Sequence, residues 1–125
     1  MLVWPKIYIK HQVECAEMFK SNNCVAIHLT DISAAENFYT NVMKFTLLSR
    51  TEGGLEYDTG HFLLYVNADL KPGPPIPSFT VKDIQKAKES LVANGCVILR
   101  EDGNSLYFKD PFGVVYDVVE EKEQL

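Results

Sequence analysis

One eight-residue pattern is written twice in this chain. Val25-Ala26-Ile27-His28-Leu29-Thr30-Asp31-Ile32 returns 52 residues later as Pro77-Ser78-Phe79-Thr80-Val81-Lys82-Asp83-Ile84. Each copy is an alternating stretch that ends in Asp-Ile and runs into a helix-like stretch. The echo continues: Leu47 to Gly53 answers Val97 to Gly103, and Gly60 answers Gly113, each just before a last apolar strand. A solenoid needs three or more repeats of this size. Two copies predict two similar modules packed as one domain, with a cleft between them.

The length agrees. At 125 residues the chain is one domain, large enough to bury roughly two-thirds of its unfolded surface. A net charge of −5 argues against a nucleic-acid partner, which calls for basic patches. No apolar run approaches a membrane span, and the first residues lack the pattern of a secretory signal. The three cysteines, Cys15, Cys24 and Cys96, are odd in number and form no C-x-x-C pair. A disulfide framework and a tetrathiolate zinc site are therefore not expected, and the expected location is a reducing cytoplasm.

Residues 1–20 lie outside the repeat. Val3 to Lys10 reads as a strand and His11 to Lys20 as a short helix, together an extra edge element, an interface arm or a frayed end. Residues 21–125 form the domain, with modules at about 24–69 and 75–120. In the first module, Val25 to Thr30 has strand alternation. Ser33-x-x-Glu36 reads as a capping box, and Ala34, Phe38 and Val42 as the apolar stripe of the helix that follows. Three further strands end with His61 to Val66. Leu70-Lys71-Pro72-Gly73-Pro74-Pro75 is a stiff linker. The second module repeats the order. Asp83 caps a helix with the stripe Ile84, Ala87 and Leu91, and Asp110-Pro111-Phe112-Gly113 has the residues of a type I turn before the closing strand.

The expected fold is α+β: two tandem βαβββ modules forming curved mixed sheets around a cleft. In this the chain resembles the glyoxalase, bleomycin-resistance and extradiol-dioxygenase superfamily, the vicinal oxygen chelate fold. The carriers are Val25 to Asp31 leading into Phe38-Tyr39, and Asp110-Pro111-Phe112-Gly113 leading into a closing strand. The resemblance covers residues 24–120. It implies fold rather than reaction, because one fold hosts many chemistries.

Strand alternation assigns faces. Val25, Ile27 and Leu29 pack under the helix, which turns Cys24, Ala26 and His28 into the cleft. The 52-residue offset adds Ile76, Ser78 and Thr80. Counted from the matched glycines, Phe62, Leu64 and Val66 correspond to Val115, Asp117 and Val119. The resemblance implies four metal-ligand points, two at the starts of the first strands and two inside the closing strands. Residue by residue these are Cys24, Leu64, Ile76 and Asp117. Two of the four have no donor atom, whereas a catalytic first-row metal generally needs three protein ligands. No metal and no other cofactor is therefore expected.

His28 is a candidate general base, against the alternative of a satisfied, partly buried histidine. Asp117 stands within Val-Val-Tyr-Asp-Val-Val, where an unpaired carboxylate is costly. It reads as a base, as the counter-ion of a cationic ligand, or as a structural partner of His28 or Arg100. Cys24 is a nucleophile only if a cation lowers its pKa, and otherwise packs inertly. Tyr57, Tyr65, Tyr107 and Phe62 supply aromatic surface near the middle of the sheets. Arg50 and Arg100 are expected to pair with Glu52 and Asp102. The first function expected is metal-free binding of an aromatic or amphipathic small molecule, with Cys24, Ala26, Phe62, Leu64, Ile76, Ser78, Thr80, Val115 and Val119 as contacts. The alternatives are a metal-dependent lyase, isomerase or dioxygenase with an atypical site, and a metal-free acid–base enzyme using His28 and Asp117. The spare N-terminal segment and open sheet edges suggest a homodimer.

Overall fold

The computed structural model of the chain describes residues 18–121. The strand and helix expected before residue 18 lie outside them. The first module comprises β1 (Lys20–Leu29), α1 (Ile32–Asn37) continued by a π-helical turn (Phe38–Val42), β2 (Thr46–Thr51), β3 (Gly54–Asp58) and β4 (Leu63–Ala68). The second comprises β5 (Ile76–Val81), α2 (Ile84–Ala93), β6 (Val97–Asp102), β7 (Ser105–Lys109) and β8 (Val115–Glu120). The two modules share one curved, open eight-stranded sheet of order β2-β3-β4-β1-β5-β8-β7-β6. Each half is ordered alike outward from the seam. β1 runs parallel to β4 and β5 parallel to β8, while the seam β1–β5 is antiparallel.

The helices cover one face of the sheet. Ala35 of α1 packs on Ile27, Leu55, Tyr57, Leu64 and Val66 of the sheet, and Ala87 of α2 on Val81, Leu106, Phe108 and Val118. The expected α2 stripe is present, with Ala87 fully buried and Ile84 and Leu91 packed beside it. The expected α1 stripe is not. Ala35 is the buried residue, with Ile32 and Tyr39 against the core, while Phe38 and Val42 are exposed. Spacings of three then four hold one face of a helix, whereas repeated spacings of four drift around it. The start of α1 also differs from the capping-box reading. Asp31 is the N-cap, and its carboxylate accepts from Ala34 N at 3.0 Å. Ser33 falls inside the helix, and Glu36 is free to pair with Arg50, which was expected to take Glu52. Asp83 caps α2 as expected, accepting from Gln85 N and Lys86 N. Arg100 pairs with Asp102.

The main correction concerns the closing strand of the first module. The β1–β4 register sets Ala26 beside Tyr65 and His28 beside Asn67, as β5–β8 sets Ser78 beside Asp117 and Thr80 beside Val119. Neighbouring residues in a ladder share a face. Tyr65 and Asn67 therefore face the cleft, while Leu64 and Val66 are buried under α1. The offset is 52 for the first and closing strands of the modules and 51 across the middle hairpins, where Leu47 pairs with Tyr57 as Ile98 pairs with Phe108, so Leu47 answers Ile98 rather than Val97. Gly60 and Gly113 are not equivalent: Gly60 N donates to Asp58 Oδ1, and its counterpart in the second turn is Phe112 N, which donates to Asp110 Oδ1. Counting from the glycines slips the strand by one residue, and a slip of one turns every side chain over.

Candidate functional site

The uncovered face of the sheet encloses a cleft of about 910 Å³. Cys24, Ala26 and His28 line it from β1, Tyr65 and Asn67 from β4, and Ser78, Tyr107, Asp117 and Val119 from the second module. Of the expected contacts, Cys24, Ala26, Ser78 and Val119 are thus in the wall, together with His28 and Asp117. Leu64 is in the core, and Phe62 is exposed outside the cleft. Ile76, Thr80 and Val115 do not line it either. Ile76 is spent on the seam, buried opposite Ala26.

Two hydrogen-bonded chains organise the polar wall. In the first, Asn22 Nδ2 donates to Ser78 Oγ and Ser78 Oγ donates to Asp117 Oδ2, each at 2.8 Å. Asn22 reaches inward because β1 bulges between Ser21 and Val25, where Asn23 takes a φ of 66°. Its Oδ1 accepts from Cys24 N at 3.1 Å. In the second chain, His28 Nδ1 lies 3.2 Å from Asp69 Oδ2, and His28 Nε2 lies 3.1 Å from the Tyr107 hydroxyl. The linker positions Asp69: Asp69 N donates to Leu29 O, and Gly73 N donates to His28 O. The expected partner of Asp117 was His28 or Arg100. It is Ser78, and His28 has taken Asp69.

Burial raises the Asp117 carboxyl above its ordinary range, opposed by the Ser78 hydrogen bond and the nearby His28. Burial also pushes the Tyr65 phenol up to about 12, helped by Cys24 and Glu56. The Cys24 thiol is raised by burial and then by Glu56, which outweigh its hydrogen bond with Tyr65. A thiol raised in this way is a poor nucleophile at neutral pH. Tyr107 is raised by burial first and by Asp117 second.

Several wall residues escaped the sequence reading. Tyr65 and Asn67 follow once the 52-residue offset is kept through β4. Alternation alone places Tyr65 and Tyr107 only among aromatics near the sheet centre. Asn22 needed the bulge and Asp69 the course of the linker, and neither leaves a periodic signal.

The sequence pattern of the Glyoxalase/Bleomycin resistance protein/Dioxygenase superfamily matches residues 23–118. The chain belongs to this superfamily. No match was found among curated protein sequences. Solved structures that share the fold include homoprotocatechuate 2,3-dioxygenase from Brevibacterium fuscum in an anaerobic complex with 3,4-dihydroxyphenylacetate. It is 19% identical with a TM-score of 0.68, over 90% of this chain and 40% of that one. An extradiol ring-cleaving dioxygenase from the same organism gives 19%, a TM-score of 0.67, and 90% and 36%. This chain therefore spans well under half the length of those structures.

The superfamily's metal chemistry can be tested on the donor set. In the observed register the four ligand points are Cys24, Tyr65, Ile76 and Asp117. Ile76 has no donor atom, Tyr65 keeps its proton at neutral pH, and Cys24 is a thiol whose ionisation is disfavoured. Among the described residues no three His, Cys, Asp or Glu side chains are grouped to hold an ion. One carboxylate does not meet the three-ligand requirement of a catalytic first-row metal, so these residues do not fit the group.

Proposed function

We propose that this superfamily member is a small-molecule-binding protein that works without a bound metal and holds an aromatic or amphipathic ligand in its cleft. The observation that carries this reading is the composition of the wall. A cleft of about 910 Å³ lies in the ~300–1,000 Å³ range of small-molecule sites. Ala26, Tyr65 and Val119 give it apolar surface, and the two hydrogen-bonded chains give it fixed polar groups, at points where a donor set for a metal is missing. Metal analysis of the purified protein, followed by a thermal-shift screen of small molecules, tests it. The expected result is no stoichiometric metal and a stabilising ligand, worth about 2.7 kcal/mol at 100 times its dissociation constant. Stoichiometric zinc, nickel, manganese or iron that is lost in Cys24→Ala would overturn it.

A second reading is a metal-free acid–base enzyme centred on His28. The Asp69–His28–Tyr107 chain supports it, since a carboxylate on Nδ1 fixes the imidazole and leaves Nε2 to exchange a proton with a phenol. Turnover of a screened ligand, abolished in His28→Gln with binding kept, distinguishes it from binding alone. We also propose a homodimer in a reducing cytoplasm. The free thiols Cys24 and Cys96, and the exposed Leu48, Val97 and Leu99 on the edge strands β2 and β6, support this. A 14 kDa particle in light scattering at micromolar concentration would contradict the dimer. No described helix is long and apolar enough to cross a membrane.

A further inference from the structure

Asp117 differs from the other charged groups in the cleft wall. Asp69 is paired with His28 and Asp102 with Arg100. Among the described residues no lysine, arginine or histidine forms an ion pair with Asp117. Its support is the neutral Ser78 hydroxyl, itself supported by Asn22. Of these only Ser78 Oγ donates to the carboxylate, at Oδ2, and a carboxylate has about four acceptor sites. Its partner across the β7–β8 ladder is Tyr107, so a phenol ring stands beside the carboxylate. Asp69, Asp102 and Asp117 together outnumber the cleft's one arginine, Arg100. Ala26, Tyr65 and Val119 supply apolar wall in the same cleft.

Given the reading of the cleft as a ligand site, on which this step rests, we propose that the ligand's polar head is a protonated amine seated against Asp117. The ammonium supplies the direct ion pair that this half-buried carboxylate lacks among the described residues, His28 being engaged by Asp69. Its N–H groups take acceptor sites that Ser78 leaves open, and the neighbouring phenol ring adds the attraction of an aromatic face for a cation. The remainder of the ligand lies on the apolar wall. Anionic ligands are disfavoured by the same arrangement.

Three probes of nearly equal shape decide the matter: 2-phenylethylamine, 2-phenylethanol and 3-phenylpropionate, titrated by calorimetry against the full chain. The amine is expected to bind at least tenfold more tightly than the alcohol, and the acid more weakly than either. Asp117→Asn is expected to bring the amine down to the alcohol's affinity and leave the alcohol unchanged. Equal binding of amine and alcohol, tighter binding of the acid, or a preference that survives Asp117→Asn would overturn the proposal while leaving the ligand cleft standing. If none of the three binds, the reading of the cleft fails and the proposal with it. Should the variant not fold, backbone amide NMR of the wild-type protein decides. The amine must shift the Ser78 and Asp117 signals more than the alcohol does, and equal shifts overturn the proposal.

Discussion

His28 and Tyr107 meet across the cleft, with Nε2 and the hydroxyl 3.1 Å apart and the rings edge-on at 5.8 Å between centroids. β5 and β8 lie between their strands in the sheet, so the contact is a chord across the curve. With Asp69 accepting at Nδ1, the proton of a neutral imidazole sits on Nδ1 and the phenol donates to Nε2. Tyr107→Phe should keep the ring contact, lose about 1 kcal/mol of stability, and leave the Nδ1–H tautomer in place. Asp69→Ala should instead release the tautomer. Nitrogen-15 spectra of the imidazole read both outcomes, and a tautomer that responds only to Tyr107 would reverse the assignment.

Asp117 sets a pH dependence. Its folded pKa is raised, so the folded chain holds this proton to higher pH than the unfolded chain does. The stability this contributes is complete below the ordinary carboxylate range and is lost as pH rises through the raised value. Asp117→Asn, which keeps an acceptor for Ser78, should therefore be at least as stable as wild type at pH 7. Its relative advantage should shrink as pH falls toward 4. Melting temperatures of the two proteins across that range check the sign, and a wild-type advantage that grows with pH would contradict it.

Leu64 and Tyr65 are neighbours with opposite duties. Leu64→Ala should cost about 2–5 kcal/mol, as for other buried leucines, with ligand affinity unchanged in the protein that remains folded. Tyr65→Phe should cost much less stability and act on the cleft. Denaturant melts paired with ligand titrations separate the two, and the opposite pattern would restore the register counted from the glycines.

Asp31 and Ser33 compete as the start of α1. Asp31→Ala should lose about 1 kcal/mol, and Ser33→Ala should be close to neutral. A larger loss at Ser33 would bring back the capping box.

The modules, the linker and the second helix were legible because each rests on a local signal: alternation, a run of prolines, a cap with a stripe. The closing strand of the first module was not, because its glycine does not occupy the same place in the two turns. It stands two residues after Asp58 in one and three after Asp110 in the other. The β4 side of the site goes with that strand, since Tyr65 and Asn67 hold the places that the glycine count gives to Leu64 and Val66. Asn22 and Asp69 depend on a bulge and on a tethered linker, which are tertiary events with no period to read. Asp117 was legible as an oddity in an apolar strand, but its partner was not, since Ser78 lies 39 residues away and meets it only across a parallel ladder.

The single sheet keeps structural and recognition residues on opposite sides. Leu55, Tyr57, Val66, Val81 and Val118 secure the frame from the helix side, and none of their side chains borders the cleft that Cys24, Ala26, Ser78 and Asp117 form on the other. Changes on the inner side can thus retune what the molecule accepts without opening cavities in that frame. A duplicated frame that supports unlike interiors in its two halves is free to drift toward new ligands one strand at a time.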